Sequence, residues 1–184
     1  ISNLGLCVYK TGEKEDALDF FLKAGTTAEN VYEIAFQTGR LYLENGKPQK
    51  ACKYLEQAAQ SNPEAGGVYR YLGECYARLN RAESAITAYK KALKFNPGDA
   101  ASLSSLGCLF DEQGENPEIA IMFCRESVGL SPENGLFRHR LGQLYLKQDR
   151  LDKALKEFTE AKKLGYGNPE DIQKLKHQIK AKAS

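Results

Sequence analysis

The sequence predicts an all-α protein, a solenoid of antiparallel helix pairs closed by a C-terminal capping helix, and three observations predict it. Like residues recur at a fixed step: Gly5, Gly39, Gly73, Gly107 and Gly142 are separated by 34, 34, 34 and 35 residues, and Ala17, Ala51, Ala85, Ala120 and Ala154 by 34, 34, 35 and 34. A period of this size marks a stacked array in which each repeat buries its apolar face only against its neighbours. Within a period, apolar residues recur at three and four, the spacing of an amphipathic helix. All six prolines fall between these apolar runs, and five follow a potential cap, Asn62, Asn96, Asn116, Ser131 or Asn168, so they are predicted at helix starts.

Five repeats are expected over residues 1–166. The first, residues 1–31, keeps Leu4, Gly5, Ala17, Phe21 and Ala24 but has Val8 where other repeats carry tyrosine; it opens inside a helix without a cap, so more chain is expected before it. The second, 32–65, reads Gly39, Tyr42, Gly46, Ala51, Leu55, Ala58 and Pro63. The third, 66–99, shows both helices plainly: Tyr69, Leu72, Tyr76 and Leu79, then Ala82, Ala85, Ile86, Tyr89, Ala92 and Leu93. The fourth, 100–134, holds the one extra residue of the array, between Gly107 and Ala120. Its turn reads GENPEIA where the others have one residue fewer, so the insertion belongs to the turn and Asn116-Pro117 restarts the helix; Glu112, Glu115 and Glu118 are then solvated turn acids rather than ligands. The fifth, 135–166, reads Leu141, Gly142, Tyr145, Ala154, Phe158 and Ala161. Residues 167–184 place Ile172, Leu175 and Ile179 on one helical face, which is expected to cap the array, with Lys174, Lys176, Lys180 and Lys182 on a solvated outer face.

Composition narrows the function. With 42% apolar and 27% charged residues the chain is an ordinary globular one, and a formal charge of +2 offers no electrostatic case for nucleic acid. No stretch approaches the roughly 18 apolar residues of a membrane span, and the first residues lack the zones of a signal peptide. Five cysteines without a C-x-x-C, and two histidines far apart, indicate neither a disulfide framework nor a metal site, and no cofactor motif is present. A reducing, cytoplasmic location is expected.

The pattern Leu72, Gly73, Tyr76, Ala85, Tyr89, Ala92, Pro97 resembles the tetratricopeptide repeat, and the likeness extends over all five repeats. None carries the tryptophan often found early in the first helix; Ile1, Ala35, Tyr69, Leu103 and Arg138 stand there. The resemblance implies a right-handed superhelix whose first helices line a concave groove that commonly takes an extended peptide or a partner's helix.

Register sorts the individual residues. Cys7 and Cys75 share a slot with Leu41, Leu109 and Leu144; Cys52 shares one with Leu18, Ile86, Ile121 and Leu155; Cys124 shares one with Phe21, Leu55, Tyr89 and Phe158. These four thiols are expected in the core. The slot of Cys108 instead holds Leu6, Arg40, Glu74 and Gln143, and the helix face that continues it holds Phe36, Arg70, Ser104 and His139 on one side and Leu43 and Asp111 on the other. In the family this variable face lines the groove. The candidate contact residues are therefore Phe36, Arg40, Leu43, Arg70, Tyr71, Glu74, Arg78, Ser104, Cys108, Asp111, His139, Arg140 and Gln143. Phe36, Leu43 and Tyr71 are apolar anchors, and Arg40, Arg70, Arg78 and Arg140 are forked donors suited to carboxylates, so the expected partner is a peptide or helix with acidic and apolar side chains. The competing arrangement pairs some of these arginines with Glu33, Glu44 or Glu74 on the same wall.

The slots do not match the Lys and Asn pattern with which one subclass grips chaperone tails. No phosphate-binding glycine motif, serine elbow or HExxH occurs, and a Cys108 and His139 nucleophile pair lacks a third residue to orient it, so the chain is expected to be non-enzymatic. The alternatives are an RNA-binding helical-repeat module, which would need a recurring reader slot and a basic face, and a substrate-recruiting appendage of a larger enzyme. Self-association through the uncapped first repeat is a further expectation.

Overall fold

The computed structural model describes residues 31–114 and 116–183. The first repeat, the thiol of Cys7, Glu115 and the expected N-terminal docking surface lie outside the described residues. Among those described there are nine α-helices and no strand: α1 (Val31–Glu44), α2 (Pro48–Ser61), α3 (Gly66–Arg78), α4 (Ala82–Phe95), α5 (Ala100–Glu112), α6 (Pro117–Leu130), α7 (Gly135–Lys147), α8 (Leu151–Lys163) and α9 (Pro169–Ala183). They fall into two compact units that divide after Pro97.

In the N-terminal unit α1 pairs with α2 and α3 with α4, and α2 and α3 join the pairs. The join is a core of Ala51, Leu55, Ala58, Val68 and Cys75, with Tyr42, Tyr69 and Leu72 around it. In the C-terminal unit α5 pairs with α6 and α7 with α8, α6 packs on α7, and α9 lies on α8. Its core gathers Ala120, Ile121, Cys124, Leu141, Leu144, Tyr145, Ala154 and Phe158. The periodic glycines stand where paired helices cross: a β-carbon on Gly73 would lie 2.7 Å from the Tyr89 ring, and one on Gly142 2.7 Å from the Phe158 ring.

The turns inside the pairs share one left-handed residue each, Gly46, Asn80, Gly114 and Asp149, with φ between 55° and 71°. Glycine, asparagine and aspartate are the residues that adopt this conformation at low cost. Counted from that residue, α2, α4 and α8 begin two positions on and α6 begins three on, so the extra residue of the array falls in the α5–α6 turn. Asn116 then caps α6, its side chain accepting from the Glu118 N–H at 2.9 Å.

Three of the five expected caps do different work. Asn62, Asn96 and Ser131 are the C-caps of α2, α4 and α6, with φ and ψ near −140° and +80°. A residue before proline is pushed out of the helical region into extended backbone, so it stops the preceding helix rather than starting the next. Pro63, Pro97 and Pro132 sit in the turns, and the helices resume three residues later behind Ala65, Asp99 and Asn134. Asn134 is the side-chain cap of α7, accepting from the N–H groups of Leu136 and Phe137. Only Asn116 and Asn168 behave as expected, Asn168 accepting from the Glu170 N–H at 3.0 Å.

Leu175 is the α9 side chain seated in the core. Leu175 is 3% exposed, Ile172 and Ile179 are partly buried beside it, and Lys182, expected on the solvated face, reaches back to Asp149. Leu175→Asp puts a carboxylate in that apolar seat and should release α9; the expected result is loss of amide protection across residues 169–183 by hydrogen exchange, with α7 and α8 still protected.

Candidate interaction surface

Each unit carries its own wall of predicted contact residues. In the N-terminal unit α1 and α3 are adjacent, and the side chains at the variable positions interlock. Tyr32 stacks on Phe36 at 5.7 Å between ring centroids, and Phe36 meets Tyr71 edge-on at 5.5 Å. Arg40 lies over both Phe36 (5.8 Å) and Tyr71 (5.3 Å), and Arg70 lies 4.4 Å from the centre of Tyr71. Both guanidinium groups are thus held against aromatic faces by the ring quadrupole, which fixes their direction and limits the entropy lost on gripping a ligand. Tyr32 was not among the candidates; it stands four residues before Phe36 and so shares its helix face, the signal by which it could have been found.

The same wall holds polar contacts of its own, two of them ion pairs. Gln37 donates to Glu33 at 2.7 Å, Arg40 donates to Gln37 at 3.2 Å and approaches Glu44 at 4.0 Å, and Arg78 pairs with Glu74 at 2.7 Å. Arg78 also donates to the Leu43 carbonyl at 3.1 Å. The internal pairing weighed from the sequence therefore operates for Arg78 and in part for Arg40. Leu43 itself is corrected: its side chain is 2% exposed and belongs to the core, so it presents a carbonyl rather than an apolar anchor.

In the C-terminal unit Arg140 and Lys147 of α7 reach across to α5. Arg140 donates to the Ser104 hydroxyl at 2.9 Å, and Lys147 pairs with Asp111 at 2.5 Å. Ser104 is fully buried, a second correction: it anchors Arg140 instead of facing a ligand. Gln143 is exposed, and Cys108 is half-buried. His139 is packed between Phe158 (5.2 Å) and Tyr166 (5.3 Å), where burial lowers its pKa against the opposing pull of Asp171. Its neighbours are thus aromatic, and the Cys108–His139 pairing weighed from the sequence has no support. Cys52, Cys75 and Cys124 are buried as their slots predict.

Among the described residues no group of three or more His, Cys, Asp or Glu side chains is placed to hold a metal ion, and no helix is long and apolar enough to cross a membrane.

Comparison with known proteins agrees with this geometry. Tetratricopeptide repeat models match residues 36–100 and residues 137–164. The protein FlbA of Caulobacter vibrioides is 27% identical over 169 residues, which cover 92% of this chain and 28% of that protein. The chain thus spans under a third of the length of that relative. Among solved structures, MamA from Desulfovibrio magneticus superposes with a TM-score of 0.77 at 21% identity, covering 89% of this chain and 92% of that one. YrrB, described as a tetratricopeptide repeat protein with an unusual peptide-binding site, gives 0.73 at 20% identity, covering 97% and 89%. At these identities the structural likeness establishes the fold.

Proposed function

Since the chain belongs to the tetratricopeptide repeat family, we propose that it is a non-enzymatic interaction module whose first helices receive a peptide or helix of a partner protein. The observation that carries the reading is the cluster of Tyr32, Phe36, Arg40, Arg70 and Tyr71 on α1 and α3. Aromatic rings and guanidinium groups are the side chains that most often dominate interface energy, and here they are preorganised by one another. A segment with a carboxylate next to an aromatic or aliphatic side chain fits both halves of the cluster. The corresponding wall of the C-terminal unit holds the Lys147–Asp111 and Arg140–Ser104 pairs in place of this ring–guanidinium cluster, so the binding energy is assigned to α1 and α3.

The family's repeat register extends this reading to five repeats over residues 1–166, with an N-terminal edge able to dock another copy. The four described cysteines are free, which fits a reducing cytoplasmic location. Because the relative is much longer than the matched region, service as a recruiting segment of a larger enzyme is the second reading.

The test is a peptide array of mixed acidic and aromatic sequences probed with the wild type and with Arg70→Ala. Arg70 is half-exposed, so its loss should leave helix content unchanged while weakening bound peptides about tenfold. Equal binding by a folded Arg70→Ala protein, or equal binding to charge-reversed peptides, rejects the assignment.

A further inference from the structure

A shift of 69 residues matches the N-terminal unit to the C-terminal one: Ala51 falls on Ala120, Gly73 on Gly142, Tyr76 on Tyr145 and Ala85 on Ala154. Each unit has a cleft at the matched place, of about 400 Å³ beside Leu72 and Tyr76 and about 460 Å³ beside Leu141 and Tyr145. Both volumes fall among those of ligand-binding clefts, about 300–1,000 Å³. The second cleft is separate from the variable face of α7, because Arg140 and Lys147 reach to α5 while Leu141 and Tyr145 pack into the core.

The two clefts match in position and differ in charge. In the N-terminal unit Glu56 of α2 accepts from the Tyr76 hydroxyl at 2.8 Å and from the Cys52 thiol at 3.2 Å, so that phenol has its acceptor within the fold. The residue that corresponds to Glu56 is Arg125 of α6, whose guanidinium only donates. Arg125 and Tyr145 line one cleft, and among the described residues the Tyr145 hydroxyl has no acceptor there. Burial raises the Tyr145 pKa and the Arg125 charge opposes it, so the guanidinium acts on the phenol directly. The reversal continues along α8, where Lys153 and Lys156 stand at the positions that Ser84 and Thr87 hold in α4. Lys153 lies over the Tyr145 ring at 5.7 Å. The acid among the lining residues, Glu157, is already committed to Arg138 at 3.1 Å. Two convergent donors and two further cations beside an apolar floor of Val128 and Leu141 are the complement of a carboxylate on a partly apolar chain.

We propose that the cleft lined by Arg125, Tyr145, Lys153 and Lys156 docks an acidic segment of a partner protein, one of whose carboxylates takes here the place that Glu56 takes in the N-terminal unit. The fold thus shows, in its other half, the group that completes the site. A chain with several acids fits better than a single small acid, because Arg125, Lys153 and Lys156 are exposed on two helices and one carboxylate cannot meet all three. A carboxylate also suits the fork of Arg125 in a way that matches the internal example. This surface lies apart from the Arg70 cluster of the N-terminal unit and does not depend on the reading given to that cluster.

The test uses the whole chain and a short fluorescein-labelled peptide of alternating glutamate and leucine, with binding read by anisotropy at low ionic strength, where exposed cations are least screened. Arg125→Glu restores the pairing of the N-terminal unit, so it should weaken the peptide at least about tenfold while helix content holds and the urea midpoint is at or above that of the wild type. Lys153→Ser with Lys156→Thr, which transplants the occupants of α4, should weaken it as well. Both losses should be the same in an Arg70→Ala background. The proposal is overturned by no measurable binding, by unchanged affinity in a folded Arg125→Glu protein, or by equal binding of the glutamine version of the peptide. Free glutamate that displaces the peptide at equal concentration would assign the cleft to a small organic acid, and single-stranded RNA bound more tightly than the peptide would assign it to a phosphodiester chain; either result overturns the docking of an acidic protein segment.

Discussion

Gly107→Leu unfolds the α5–α6 pair. The β-carbon alone would come 2.8 Å from the Ala120 carbonyl oxygen and 2.5 Å from the Cys124 sulfur. The first obstacle is helix backbone, which has no rotamer to change, and the second is a fully buried side chain. The helices must therefore separate, and separation exposes the packing of Leu106, Leu109 and Ile121, all buried. Overpacking of this kind costs about 3 kcal/mol, and the conformational freedom that glycine loses in a helix repays less than about 1 kcal/mol of it. The outcome is read as lost helical signal at 222 nm and an earlier urea midpoint. Gly129→Ala supplies the control from the same helix pair: nothing lies within 4 Å of its added β-carbon, so the substitution should stabilise by about 0.5 kcal/mol. Opposite signs for two glycines of one hairpin are expected only if close approach, rather than backbone flexibility, is why Gly107 is glycine. Equal destabilisation by both would reject that account.

The repeat step, the helix type and the buried thiols were legible because each is a property of a slot, and slots survive subtraction along the chain. Depth and partnership are different kinds of information. Leu43 and Ser104 occupy slots that vary in chemistry, and variation was read as exposure; both are buried, Leu43 in the unit's core and Ser104 beneath Arg140. The contacts that decide this run from Arg78 to Leu43, Arg140 to Ser104 and Lys147 to Asp111, at separations of 35, 36 and 36 residues. Each spans one local repeat step, 34 residues for the first and 35 for the other two, plus one residue, the reach of a long basic side chain from one first helix to the one before it. Comparing a slot only with its own equivalents cannot detect a pair offset in this way. The cap reassignment has a similar origin: an Asn-Pro pair carries both a helix-start signal and a pre-proline restriction, and at Asn62 and Asn96 the restriction prevails because the helix before them is still running. At Asn116 an inserted turn residue separates it from the helix before, and the start signal prevails.

Arg138 shows what a departure from the family pattern can conserve. The slot lacks the family's tryptophan in every repeat; in two of them the occupant ends in a donor, and the donor finds the same acceptor. Tyr69 donates to the Pro63 carbonyl at 2.8 Å, and Arg138 donates to the equivalent Pro132 carbonyl at 2.7 Å. The proline has no N–H and its turn leaves this carbonyl pointing at the helix, so a long side chain tipped with a donor closes the turn. Arg138 does more, because its second nitrogen pairs with Glu157 of α8 at 3.1 Å, with the two side chains only 19% and 13% exposed. Arg138→Leu therefore leaves both a carbonyl and a largely buried carboxylate without their donor, and the expected loss is about 3 kcal/mol by urea unfolding of the C-terminal unit. Arg138→Tyr restores the donor to Pro132 but not the charge, and should recover about 1 kcal/mol. Adding Glu157→Leu to Arg138→Leu removes the orphaned carboxylate and should recover most of the remainder, since an apolar pair replaces an ion pair at little net cost. If Arg138→Leu alone is neutral, the pair is held by solvent rather than by the fold; if the double variant is no better than the single, the cost lies in the turn, and the carbonyl of Pro132 is the acceptor that matters.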